Sequence, residues 1–250
     1  MSEATVTPAA EAAAETRTGR VARSTLVVMA GMVGSIVIGL VRQRVIALQF
    51  GTGSELDAFT AANSIPELLY TMLAGGALAF AFIPVYTEFV SKRDVRGANR
   101  LLSQVINLIL LLTVAASLLV ALAAPTLVRA PWGIGPNFPP EVQALTTGLM
   151  RILLLSTIIF AASSIITGAL HAHQHFLLPA LTPIMYSGGI ILGALFLAPR
   201  MGVHGLAWGA VLGAGLHLLV QLPGLFLYRI AWRPDFAFNN PALRRVAVLM

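Results

Sequence analysis

Apolar residues run along this chain in long stretches with short polar breaks between them. Six stretches stand out, at about 24–50, 56–90, 98–124, 141–170, 177–198 and 203–230. Each reaches the roughly 20 residues a helix needs to cross a bilayer. The first is too long for the apolar core of a signal peptide, and no clear cleavage site follows it, so it reads as an uncleaved span. The second is too long for one straight span. Pro66, Gly75, Gly76 and Pro84 punctuate it, which predicts a long, bent helix. The segment 125–140 (PTLVRAPWGIGPNFPP) is too rich in Pro and Gly to be helical throughout, and its Trp132 and Phe138 suit a membrane interface.

Both ends depart from this pattern. Residues 1–22 are rich in Ala, Glu and Thr without apolar periodicity, which predicts a disordered cytoplasmic tail with at most transient helix. Residues 23–232 form the six-span unit, and 233–250 read as a linker followed by a new helix. Asn239-Asn240-Pro241 is a helix-start signal, and a basic then apolar pattern follows from Ala242. That pattern reads as the first turns of a seventh helix that is cut off, or as a short interfacial amphipathic helix.

Composition agrees with the pattern. Of 250 residues, 57% are hydrophobic and 10% charged, against about 25% charged in soluble domains, and mean hydropathy is +0.84. An ordinary soluble enzyme, a disordered chain and a disulfide scaffold are excluded, the last because there is no cysteine. The apolar runs exceed the roughly 10 residues of a barrel strand, so the fold class is an all-α polytopic membrane protein. Net charge is +6 and the pI about 10.7. With the N-terminus in the cytoplasm, that side holds Arg17, Arg20, Arg23, Lys92, Arg93, Arg96, Arg100, Arg229, Arg233, Arg244 and Arg245, and the other side holds Arg129 and Arg200. That is the positive-inside asymmetry. The basic surplus is therefore loop charge that sets orientation, and it gives no reason to expect nucleic acid.

The charges left in the spans are the informative ones. An arginine there costs about 2.5–3.5 kcal/mol on insertion scales. Arg42 and Arg44, two residues apart, point in different directions. Arg44 suits snorkelling to the interface, and Arg42 is the one expected inside. Arg151 lies deep in the fourth span. In the second span Asp57, Thr60, Ser64, Glu67 and Thr71 follow at intervals of 3 or 4, on one helix face, with Asn63 and Tyr70 beside them. Such a face lines either a wet cavity or a set of interhelical hydrogen bonds, and two carboxylates favour the cavity. In the sixth span Gly205, Gly209 and Gly213 predict close helix packing, and His217 and Gln221 extend that face. His171, His173 and His175 (HAHQH) read as a solvated loop. They have no carboxylate nearby to complete a metal site, and no nucleotide-binding or hydrolase motif is present.

Several stretches together resemble the MurJ/MviN family of lipid II flippases, in the multidrug/oligosaccharidyl-lipid/polysaccharide exporter (MOP) superfamily. They are 35–51 (SIVIGLVRQRVIALQFG), the LDAF, IPELL, LAGGAL and AFIPVY segments within 56–86, 176–183 (FLLPALTP) and 206–223 (LAWGAVLGAGLHLLVQLP). The resemblance implies the six-helix N-lobe of a MurJ-like/MATE-like transporter plus the start of a seventh helix. It also implies a bacterial inner-membrane location, a missing C-terminal lobe as partner, and flipping of undecaprenyl-pyrophosphate-linked peptidoglycan precursor by alternating access. Arg42 falls on the family's first-helix arginine, and Asp57 also matches. The family's other charged positions do not match: Ile36, Gln43, the pair Tyr70-Thr71 and Gly75 stand there, and Glu67 replaces a neutral residue.

The implied substrate site is therefore Arg42, Asp57, Glu67, Ser64 and Asn63. Arg151, Tyr70, Thr71, His217 and Gln221 are further cavity or gate positions. No cofactor is expected, only coupling to the membrane potential or a monovalent cation. Membrane lipids and cell-wall synthesis proteins are the expected surroundings. The rival readings are a flippase for another polyprenyl-linked glycan, a cation-coupled exporter using Asp57 and Glu67, and a non-transporting membrane scaffold.

Overall fold

The computed structural model describes residues 8–73, 76–237 and 239–249. Among these the regular elements are all helices, without strands. The helices are α1 Pro8–Phe50, α2 Ser54–Leu73, α3 Gly76–Ser91, α4 Val95–Arg129, α5 Pro140–Ala172 and α6 Leu177–Leu192. A π-turn, Gly193–Leu197, leads on to α7 Ala198–Met201. Then come α8 Val203–Leu219, α9 Leu222–Leu227 and α10 Pro241–Leu249. Among the described residues five stretches are long and apolar enough to cross a membrane: Thr25–Phe50, Val95–Arg129, Pro140–Ala172, Leu177–Met201 and Val203–Leu227.

In the second apolar region α2 ends at Leu73 and α3 begins at Gly76, and the two residues between them lie outside the described ones, so the expected bent helix is described in two parts. The predicted punctuation at Gly75 lies outside the described residues, as does the tail over 1–7. From Pro8 onward the presumed tail is helix instead, where five alanines between Ala9 and Ala14 carry α1 outward. Helix α4 also runs past the expected boundary, through Pro125 to Arg129.

The turns show the chain running back and forth. Gly51 and Gly202 turn with φ of 61° and 57°, and Arg93, Gln174 and Arg229 turn at the opposite end with φ of 55–57°. Helix α5 is the hub, packed by α2, α3, α4 and α8, while α6 pairs with α8 on one side and α1 on the other. Two apolar cores form, one toward each end. One joins Phe82, Tyr86, Leu101, Val105, Ile165 and Leu170, and the other joins Ala62, Val128, Leu149, Leu153, Leu206 and Ala210. A mid-height layer between them is left less apolar. Leu26, Met32, Val33, Ile36, Leu40 and Leu48 keep α1 exposed and greasy, a face suited to hydrocarbon.

Helices α6 and α8 meet through glycines on both sides. The predicted Gly205, Gly209 and Gly213 face Ala198, Gly193 and Gly189, so backbone lies against backbone.

The 229–240 segment is strapped along α4. Asn99 donates to the Arg229 carbonyl (3.1 Å), and Ser103 Oγ accepts the Arg233 N–H (3.0 Å). Asn107 donates to the carbonyls of Arg233 and Asp235, and Gln104 donates to Asp235 Oδ2 and the Ala237 carbonyl. The Ala237 N–H, then Arg100 and Gln104, hold the Asp235 carboxyl below the usual carboxylate range. Past the strap, Asn240 caps α10 by accepting the Ala242 N–H, and Arg245 forks onto Glu88 at 2.6 and 3.0 Å.

Candidate functional site

A cavity of about 350 Å³ opens at mid-height, lined by Arg42, Asn63, Pro66, Glu67, Tyr70, Ser156, Thr157, Phe160, Tyr186 and His217. Five helices contribute to it. Its position follows from the fold: α1 leans on α6 and α2 leans on α5, so the inner faces of α1 and α2 stand across a gap.

Arg42 is half-buried and Arg44 is exposed, which divides the pair as their spacing predicts. Arg42 makes no hydrogen bond or ion pair among the described residues. Among the described residues the only salt bridges are Arg100–Asp235 and Arg245–Glu88. Glu67 shares the cavity, but its carboxylate takes a hydrogen bond from Asn63 (3.3 Å) instead. The two opposite charges thus flank one space without closing on each other. A guanidinium in that state has its full fork of donors to offer an oxyanion.

The polar stripe of α2 splits in two. Asn63, Glu67 and Tyr70 face the cavity. Thr60, Ser64 and Thr71, again with Asn63 and Glu67, line an open groove of about 510 Å³ alongside. The hydroxyls of Thr60, Ser64 and Thr71 donate to carbonyls four residues back on their own helix, at 2.9–3.3 Å. Among the described residues these hydroxyls make no bond to another helix. Asp57 stands apart. It is exposed in the first turn of α2, where a carboxylate complements the helix N-terminus. It lies ten residues from Glu67, about 15 Å along the axis, so no single ion can touch both.

Two expected cavity residues are placed elsewhere. Arg151 is exposed and donates from Nε to the Ala121 carbonyl (3.1 Å). The reason is local. Pro125 has no N–H, so the carbonyl four residues before it lacks its helical donor, and Arg151 supplies one. Gln221 is fully buried behind the cavity wall and pegs α8 to α5. Its amide nitrogen donates to Ser163 Oγ (2.6 Å) and the His217 carbonyl (3.0 Å), and its oxygen accepts from Thr167 (2.9 Å). His217 remains on the cavity, with Nδ1 2.7 Å from Ser163 Oγ.

The cavity floor joins the expected Tyr70 and His217 to residues that no sequence pattern marked. Phe160 is its centre, with Tyr186 and His217 edge-on at 4.9 and 5.0 Å and Tyr70 tilted at 5.6 Å. Thr157 donates to the Pro66 carbonyl (3.3 Å), tying α5 to the proline bend of α2. Of the residues not expected there, only Tyr186 offered a signal, a polar-tipped ring in mid-span. Ile36, where the resembled family carries an arginine, lines a separate apolar groove of about 380 Å³ with Val28, Met32 and Pro179.

The three histidines are not a solvated loop. His173 stacks on Tyr228 (4.4 Å), His175 Nδ1 lies 3.1 Å from the Tyr228 hydroxyl, and His171 leans on Phe176. Burial pushes the His173 imidazole below its ordinary range. The folded state therefore favours the neutral ring. Its contribution is full above about pH 6.5 and drains away as pH falls below that. The melting temperature of the complete protein in detergent should drop between pH 7.5 and 5.5. His173→Phe, which keeps the stack without the titration, should show a shallower drop. An identical pH slope in the variant would remove His173 from the account.

A family profile described as Lipid II flippase MurJ matches residues 46–250. The lipid II flippase MurJ of Burkholderia cenocepacia is 31% identical over 222 residues, covering 86% of this chain and 43% of that protein. A probable lipid II flippase MurJ of Buchnera aphidicola is 31% identical over 218 residues, with 85% and 42% covered. The chain thus spans less than half the length of these curated relatives. Among solved structures, a lipid II flippase MurJ in an inward closed conformation superposes with TM-score 0.69 at 24% identity, covering 90% of this chain and 46% of that one. A MOP superfamily transporter from Pyrococcus furiosus gives 0.72 at 20% identity, with 92% and 50% covered.

Proposed function

The chain belongs to the MurJ family of lipid II flippases, and from that premise we propose that it is one lobe of a transporter that moves a lipid-linked peptidoglycan precursor across the bacterial inner membrane. The observation that carries this reading is Arg42: a half-buried, unpartnered arginine on a mid-membrane cavity. Its guanidinium is the group that pyrophosphate oxygens match, and a low-dielectric site strengthens that contact. Glu67 across the cavity is the counter-charge that keeps Arg42 tolerable when no anion is bound. The wet α2 groove beside it is wide enough for sugar hydroxyls to leave water by stages. A C-terminal lobe closes the other side of the cavity, and the two lobes rock around it in alternating access. The N-terminus faces the cytoplasm, and the membrane potential, at about 2.3 kcal/mol per charge per 100 mV, biases the charged cavity.

The complete protein, supplied to a bacterium depleted of its own lipid II flippase, should restore growth and clear the accumulated precursor. Normal membrane levels without rescue would sink the lipid II reading. Rescue that needed a sodium gradient and failed when Glu67 was neutralised would favour cation-coupled export. Docking of cell-wall synthesis enzymes, with no transport, would be the scaffold's result.

A further inference from the structure

A second polar cavity lies away from the transport site, at the start of α4. It measures about 350 Å³ and is walled by Arg96, Asn99, Arg100, Ser103, Arg233 and Asp235. The four α4 residues occupy successive turns of one helix face. Arg233 arrives from the strap, and its root is fixed because its N–H bonds Ser103 and its carbonyl takes Asn107. Three guanidinium groups thus converge against one carboxylate. Asp235 engages Arg100 (3.3 Å), and among the described residues Arg96 and Arg233 have no ion pair. Asn99 gives one amide hydrogen to the Arg229 carbonyl and Ser103 donates to the Asn99 carbonyl, so most of the donors left to the pocket are guanidinium N–H groups.

Its depth is marked by Trp232, beside Arg233, whose ring is exposed while its N–H is held by Asn107 (2.9 Å). An anchored, exposed tryptophan is characteristic of the headgroup level. Exposed Leu111 and Leu112 farther along α4 mark the hydrocarbon beyond.

We propose that this cavity binds a phosphate group at the membrane interface, through Arg96 and Arg233, with Arg100 shared between the anion and Asp235. The same chemistry serves the headgroup of an acidic phospholipid or a free phosphate. The site is independent of the transport reading, and it would hold even if the central cavity carried another substrate. Binding there would bridge α4 and the strap that leads to α10.

The test uses the complete protein in detergent, with retained lipid read by native mass spectrometry. Wild type should keep phosphatidylglycerol over phosphatidylcholine, and Arg96→Gln/Arg233→Gln should lose about 25-fold of that retention, about fivefold per charge. This pair leaves the Arg100–Asp235 bridge in place, and Arg96→Lys/Arg233→Lys should restore most of the retention. The control Arg129→Gln/Arg200→Gln makes the same charge change at exposed positions elsewhere and should retain lipid as wild type does. Displacement by millimolar inorganic phosphate would identify free phosphate as an occupant, and failure to displace would identify the lipid headgroup. Unchanged retention in the glutamine pair would overturn the site, as would equal loss in all variants, control included.

Discussion

Arg42→Ala in the complete protein will abolish rescue of a flippase-depleted bacterium while its membrane level stays normal. The size of the effect follows from what the side chain can do there. A charge-assisted hydrogen bond contributes about 1.5–3 kcal/mol, and a guanidinium fork makes two. Losing them should cost at least 100-fold in transport rate or substrate affinity. Folding should be nearly untouched, because among the described residues Arg42 has no hydrogen bond or ion pair to lose. Arg42→Lys should recover only part of the activity, since the ammonium keeps the charge and loses the fork.

Glu67→Gln supplies the opposite test on the same cavity. With the counter-charge neutralised, the field of Arg42 is less compensated, so anion affinity should rise several-fold and release should slow. Tighter binding with slower turnover would fit the counter-ion role. If Arg42→Ala rescued fully and Glu67→Gln alone destroyed activity, the cavity would be working on a cation and the pyrophosphate role would be wrong. A variant with both residues replaced separates the scaffold reading, because only a non-transporting protein should be indifferent to it.

The periodic features of the sequence proved informative, and single residues were less so. The face of α2 was legible because intervals of 3 and 4 can only mean one helix side, and the structure puts that side on a groove and a cavity. Arg42 against Arg44 was legible for a similar reason: two residues apart on a helix, both cannot face inward. Arg151 was misjudged because its partner is a gap in another helix. The orphan carbonyl that Pro125 creates at Ala121 is visible only when the partner turn is known. Gln221 was misjudged because a polar residue on a packed face can fill a hole or a cavity equally well, and its four-residue spacing from His217 does not distinguish them. Phe160 was invisible, since an aromatic in an apolar span has no pattern of its own. The glycine ladder of α8 was legible, whereas its partners, Gly189 on α6 and Gly193 in the π-turn, were not, because a seam needs both sides.

That seam sets the second large effect. Gly189→Ala and Gly213→Ala should each destabilise the complete protein by about 2–3 kcal/mol, in the range of overpacked cores. A Cβ at residue 189 would overlap the Gly213 backbone, and a Cβ at 213 would overlap the Tyr186 carbonyl and crowd its ring at 2.9 Å. Backbone cannot rotate away as a side chain can, so the helices must separate. The expected fall in Tm is about 4–12 °C for a domain of this size. Gly188→Ala and Gly215→Ala sit on the same two helices with nothing within 4 Å. There a mid-helix alanine should be neutral or stabilise by about 0.5–1 kcal/mol. Equal behaviour of the two pairs would mean that the close approach of α6 and α8 does not exist in the membrane. Gly213→Ala should also reach the cavity. It displaces Tyr186, and Tyr186 packs against Phe160 at 4.9 Å, on the floor facing Arg42. Transport per folded molecule should therefore fall in Gly213→Ala and hold in Gly189→Ala, although both loosen the same seam.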